Sequence, residues 1–172
     1  MPCVLTSGIP LGCLDSTGGI KNVYVAKFDA TGTTFSANSE SQITGITSSE
    51  SFFTFKFRNQ TSSFAEEGSH SVENGTNMWT QTVTMVFHKL ESAKRNAILL
   101  LAKTDTHVIV QTQNDDYWVI GKINSANLLS SASAAGQAFA DLNGYTISLV
   151  ATEPEMAQEL TAAAFATLTV LA

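Results

Sequence analysis

Charge is scarce in this chain. Lys, Arg, Asp and Glu make up 14% of its 172 residues, where an ordinary globular protein carries about 25%. Most of the surface must therefore be Ser, Thr, Asn, Gln and Ala. Such a surface suits a subunit packed against copies of itself, where like-charge repulsion stays small; it equally suits a secreted or viral β-protein with a Ser/Thr-rich exterior. The 9 basic residues are scattered and outnumbered by 15 acidic ones, for a net charge of −6. That excludes a dedicated nucleic-acid binder, which needs clustered Lys and Arg to neutralise phosphate. A negative surface is still compatible with a conduit that DNA passes through without sticking.

Cysteine is nearly absent as well. Cys3 and Cys13 are the only two, at a spacing that matches neither a zinc site nor a redox pair. Free thiols in a reducing cytoplasm are expected, with a local disulfide as the alternative. Residues 1–14 lack the basic start and continuous apolar core of a signal peptide, and no run approaches the roughly 18 apolar residues of a membrane span. The expectation is a soluble protein made in the cytoplasm, with no membrane partner.

Catalytic and cofactor patterns are missing too. No Gly-x-Ser-x-Gly elbow, phosphate loop or dinucleotide glycine pattern occurs, and the expectation is a non-enzyme without a cofactor. His70, His88 and His107 have no second metal ligand at a useful spacing, and His88 and His107 fall on the apparent outward faces of strands. Glu66 and Glu67, like Asp115 and Asp116, are adjacent, so in extended chain their carboxylates point apart and cannot share a proton. Asn59-Gln60-Thr61 and Asn74-Gly75-Thr76 match the glycosylation acceptor pattern only weakly, because Asn and Thr are abundant. Trp79 and Trp118 sit inside apolar strand patterns, where core packing is favoured over stacking of sugars or bases.

What is present is strand periodicity. Residues 1–19, with Pro2, Pro10 and four glycines, read as an N-terminal arm. Ile20 to Phe28 places Tyr24 and Phe28 on one face and Val23 and Val25 on the other, a strand covered on both sides, and ends in the turn Asp29-Ala30-Thr31-Gly32. The Ser/Thr-rich stretch that follows holds one short strand at 42–47. Ser51 to Asn59 and Met78 to His88 both alternate, with Phe53, Phe55 and Phe57 on one face of the first and Trp79, Val83, Met85 and Phe87 on one face of the second. They read as two arms of a hairpin joined by a polar loop, 60–77.

A loop of that length in a compact domain points to function. Its candidate assembly residues are Phe64, Glu66, Glu67, His70, Val72 and Asn74. Residues 91–103 have helix composition, with Leu90, Ala93, Ala97, Leu100 and Leu101 as the apolar stripe. Thr106 to Thr112 and Tyr117 to Lys122 form a hairpin across Gln113-Asn114-Asp115-Asp116. The stretch 123–140 reads as loop or poor helix, 146–151 as strand up to the break at Pro154, and 153–172 as a C-terminal arm or last strand. The fold class is mainly β: an antiparallel β-sandwich or barrel core over 20–152 with one flanking helix.

The order of features in the C-terminal half resembles the tail-tube, or major tail, proteins of tailed bacteriophages. Leu99-Leu100-Leu101-Ala102 in a helix is followed by Thr106-His107-Val108-Ile109-Val110, then by Asn114-Asp115-Asp116-Tyr117-Trp118-Val119-Ile120-Gly121. Gly136-Gln137-Ala138 and Asp141 to Val150 with Glu153-Pro154 complete the likeness, and Gly12 to Ile20 is similar to the start of such chains. The resemblance implies a virion subunit made in the host bacterial cytoplasm. It also implies self-assembly into rings, usually hexameric, stacked into a tube for genome passage, with contacts to other virion proteins. Neck and head-tail ring proteins share related folds, and a β-sandwich module binding carbohydrate or protein is the reading outside the virion.

Overall fold

The computed structural model describes residues 8, 9 and 11–172. The Cys3–Cys13 question falls outside them; Cys13 itself is exposed. The chain is mainly β, in two sheets. An eight-stranded sheet runs β12-β4-β1-β7-β8-β11-β3-β2, and a four-stranded sheet runs β5-β6-β10-β9. Its strands are β1 (Ile20–Lys27), β2 (Thr33–Ala37), β3 (Ile43–Ser48), β4 (Phe52–Phe55), β5 (Ser63–Ser71), β6 (Thr76–His88), β7 (Thr106–Thr112), β8 (Tyr117–Ile120), β9 (Asn127–Ala134), β10 (Gly144–Glu153), β11 (Gln158–Leu160) and β12 (Val170–Leu171). The helices are α1 (Ser92–Leu101) and α2 (Ala162–Phe165). No helix among the described residues is long and apolar enough to cross a membrane.

β1 has apolar residues on both faces because it separates two cores. Val23 and Val25 join Val83, Met85, Val108, Val110, Ile147 and Leu149 between the two sheets. Tyr24 and Ala26 point the other way, to Ile43, Ile46, Phe52, Ile109 and Leu160. Those partners come from β3, β4, β7 and β11, and β3 and β4 lie towards opposite ends of the same large sheet, so the sheet curls around its own second core. α2 adds Ala164 to that core. Each large side chain buried in either core stabilises the fold by about 1.5–3 kcal/mol.

Several sequence expectations change here. Ser51–Asn59 and Met78–His88 are not arms of one hairpin: β4 pairs with β1 in the large sheet, whereas β6 pairs with β5 and β10 in the small one. In β4 the fully buried ring is Phe52, while Phe53 is 53% exposed. The polar stretch 60–77 is not a loop. Its residues 63–71 form β5, antiparallel to β6 from Ser63↔Thr84 to Ser71↔Thr76, and the turn shrinks to Val72–Gly75 with Gly75 at φ +61°. β5 carries too few apolar residues to show a period because it is an edge strand, and its order comes from the ladder with β6.

β9 replaces the expected loop or poor helix at 123–140, again as an edge strand whose Ser and Ala side chains need no apolar face. β2 was hidden by a Ser/Thr composition for the same reason. The C-terminal stretch 153–172 is not a free arm: Ala157, Leu160 and Ala164 are buried, and β12 adds in parallel to this chain's own β4. α1 forms where expected, but its buried side chains are Ile98 and Leu101, leaving Leu100 67% exposed.

Candidate assembly surface

The feature that stands out from the two cores is the far end of the β5–β6 hairpin. β10 accompanies β6 only as far as the pair Glu153↔Trp79. Beyond it, Thr76–Met78 have β5 as their one neighbouring strand, and nearly every residue from Glu67 to Met78 is exposed. A two-stranded ribbon without a core beneath it is marginal on its own. Here it continues two strands that are anchored lower down.

The candidate loop residues divide between the anchor and the tip. Phe64 packs against the inter-sheet core. Glu66 is half-buried, and its Oε1 accepts hydrogen bonds from the Ala157 amide at 2.7 Å and from Gln81 Nε2 at 3.1 Å. Gln81, 1% exposed, in turn accepts from the Gly121 amide at 3.4 Å. Glu66 thus ties β5 through Gln81 to the residue after β8, in the other sheet, and directly to the segment before β11. Glu67 points outward. His70, exposed, has its Nδ1 2.6 Å from Asn77 Oδ1 and stands edge-on to Trp79 with ring centroids 5.3 Å apart. The Trp79 ring lies over Gly68, where an added Cβ would come within 2.9 Å of it. Val72, 99% exposed, and Asn74 occupy the turn at the tip. Anchor and tip look alike in sequence because both are polar; only the partners Ala157 and Gln81, distant along the chain, separate them.

Three further features lie uncovered on the described chain. In the N-terminal arm, Ile9, Leu11 and Leu14 are 100–108% exposed, and the arm touches the body through the Thr17 amide and Ser16 hydroxyl on the Asn114 side chain. The edge strand β9 carries no charged residue. Its one irregularity is a bulge at Leu129, between the pairs Leu149↔Leu128 and Ser148↔Ser130, leaving that side chain 72% exposed. Lysines and prolines usually blunt such an edge. Finally, α1 and the β4 end of the large sheet frame an apolar groove of about 560 Å³.

Trp79 and Trp118 do not sit in either core. Both are half-buried and flank one cleft of about 440 Å³ with Gln42, Asn77 and Glu159. The sequence pattern placed each on an inward strand face, but both are half-buried and line this cleft instead.

His107 is the second correction among the polar residues. It is 2% exposed, with Nδ1–H donating to the Gly121 carbonyl at 2.8 Å and Phe28 and Phe35 at 4.5 and 5.7 Å between ring centroids. Burial in β7, whose two faces meet different cores, lowers its pKa below the usual imidazole value. His88 is exposed, as expected. Asp115 takes the turn conformation at φ +65° and meets Lys21 Nζ at 2.7 Å, and that lysine holds its carboxyl below the ordinary range. At the first turn, Asp29 accepts from the Gly32 and Thr31 amides and is held at about 2. No group of three His, Cys, Asp or Glu side chains gathers at one point among the described residues. No protein-family model matches this chain, and neither a curated protein nor a solved structure matches it.

Proposed function

We propose that this chain is a non-enzymatic structural subunit of a bacteriophage virion, of the tail-tube kind, that self-assembles through heterologous contacts into stacked rings. The observation that carries the reading is the ribbon beyond Trp79, a built and anchored projection with no core of its own. The exposed arm and the uncharged β9 edge support it, because a neighbouring subunit would cover what this chain leaves open. A low surface charge keeps repulsion between packed copies small. The order of elements shared with tail-tube proteins supplies the virion; neck and head-tail rings are the nearest variants.

The test is to replace Ser69–Met78 with a two-residue Asn-Gly turn. This closes β5 onto β6 at the pair Gly68↔Trp79 and leaves Glu66 and Phe64 in place. The parent forms rings or tubes by negative-stain microscopy and sediments as large species. The shortened variant keeps its thermal transition and stays monomeric. A parent that is strictly monomeric at high concentration, or a shortened variant that assembles like the parent, defeats the proposal.

The Trp79–Trp118 cleft supports a second reading, a β-sandwich binding module for carbohydrate or a protein partner. Half-buried indole rings lining a cleft suit stacking on sugar rings, and Gln42 and Asn77 supply hydrogen-bonding groups beside them. A glycan screen read by intrinsic fluorescence tests it directly, since these are the chain's two tryptophans. No hit that is lost in Trp118→Ala removes it.

A further inference from the structure

An asparagine followed by glycine readily loses its side-chain amide, because glycine has no Cβ to keep its backbone nitrogen away from the carboxamide. The chain contains two such pairs, Asn74-Gly75 and Asn143-Gly144, and the fold treats them in opposite ways. Asn143 is held: its Oδ1 accepts from the Leu90 amide at 3.2 Å and its carbonyl from the Lys89 amide at 2.6 Å. Gly144 is buried and paired on both sides, with His88 of β6 and Ala134 of β9. Its nitrogen cannot swing towards the Asn143 side chain without parting those strands. Asn74 instead lies in the exposed turn at the ribbon tip. Its backbone amide donates to Ser71 Oγ at 3.3 Å, but among the described residues no hydrogen bond engages its carboxamide or the Gly75 amide. A Cβ added to Gly75 would meet nothing within 4 Å, so the space that cyclisation needs is open.

We propose that Asn74 is a self-modification site, converted in the free subunit to a mixture of aspartate and isoaspartate while Asn143 is spared. The Gly75 nitrogen gives its proton to hydroxide and attacks Asn74 Cγ; the Cγ–Nδ2 bond breaks, and Nδ2 takes up a proton and leaves as ammonia. Water then opens the cyclic imide. Cleavage at Cγ restores the ordinary backbone as aspartate, whereas cleavage at the main-chain carbonyl routes the backbone through Cβ and Cγ as isoaspartate, one atom longer. Either product adds a carboxylate beside Glu73, the only acidic residue from Ser69 to Met78, in a chain already at net charge −6. The chemistry stands apart from the self-assembly reading, but its consequence rests on it. A neighbour that grips a fresh tip meets a neutral amide, whereas one that grips an aged tip must desolvate a new charge. The turn is thus a timer on the subunit's competence to assemble.

The test ages the purified full chain in mildly alkaline buffer and follows it by peptide mass spectrometry. The peptide holding Asn74 should gain the mass of an amide-to-acid exchange and split into two chromatographic forms, one of them a substrate for isoaspartyl methyltransferase. The Asn143 peptide should react at least about tenfold more slowly, and unfolding in guanidinium chloride should bring the two rates together. Asn74→Gln, whose longer side chain cyclises far less readily, should keep its amide and its thermal transition. A folded protein in which Asn74 persists as long as Asn143 overturns the proposal. Fresh parent, aged parent and aged Asn74→Gln are then compared by sedimentation, and loss of assembly confined to the aged parent is expected. A fully converted parent that assembles like fresh protein overturns the timer. Fresh protein that is monomeric defeats the assembly reading, and the timer with it, while the mass shift still decides the modification.

Discussion

Replacing Glu66 by Ala separates the anchored part of the β5–β6 hairpin from its projecting part. The carboxylate accepts from the Ala157 amide at 2.7 Å and from Gln81 Nε2 at 3.1 Å. Hydrogen bonds to a charged acceptor contribute about 1.5–3 kcal/mol each, and a buried donor left without a partner costs a similar amount. Gln81 is 1% exposed, and its other acceptor, the Glu155 carbonyl at 3.4 Å, is a weaker bond that compensates only in part. Glu66 itself is half-buried, so the lower end of the range applies, and the two bonds together amount to about 2–4 kcal/mol. For a chain of this size each kcal/mol moves Tm by about 2–4 °C. Glu66→Ala should therefore melt about 4–16 °C below the parent. Glu66→Gln keeps a carbonyl acceptor in place and should lose about half as much. Circular dichroism melts with urea titrations measure both. A Glu66→Ala protein that melts within about 1 °C of the parent refutes the claim that this carboxylate joins the two sheets.

Two other perturbations follow from the same packing. A Cβ at Gly144 would lie 2.0 Å from the Phe87 carbonyl oxygen and 3.0 Å from His88 Cα; backbone cannot step aside as a side chain can, so Gly144→Ala should destabilise by at least about 1–3 kcal/mol in urea unfolding. His107 is neutral in the fold with its pKa lowered by burial, so below its unfolded pKa of about 6.5 the unfolded chain binds the extra proton. Its contribution is complete above that pH and is lost as the pH falls towards the folded pKa. Urea midpoints should thus decline from pH 7 to pH 5, and the decline should flatten in His107→Gln; equal slopes in the two proteins would count against the buried site.

The parts of the fold that could be read from the sequence are those in which side chains had to alternate. β1 showed apolar residues on both faces, and two separate cores explain why. The β7–β8 hairpin was visible through its β-branched runs and the Asn-Asp-Asp turn. β5, β9 and β2 escaped because edge strands are held by backbone pairing, which leaves no hydrophobic period behind. The stripe of α1 was misplaced because Ile98, not Leu100, meets the inter-sheet core. His107 was misjudged since alternation says nothing about which face is covered when both are. At the candidate surface, the polar composition of 60–77 marked a segment that is largely exposed, but which of its side chains are tied to the body depends on long-range partners. Glu66 and Glu67 are neighbours of the same type, yet one is a clamp and the other a solvated side chain.

The ribbon has a mechanical consequence. β6 is one unbroken strand of 13 residues, about 44 Å long at 3.4 Å per residue, running from the exposed tip into the middle of the small sheet. A pull on the tip along that axis loads the β6–β10 ladder from Trp79↔Glu153 to His88↔Gly144 in shear. All its hydrogen bonds then share the force at once, whereas peeling would break them one at a time. A neighbour that grips the tip therefore holds the subunit by its stiffest direction, and bending is resisted only where the third strand begins. The hinge of such a joint sits at Trp79, so an assembly built on it is strong in tension and compliant in flexion.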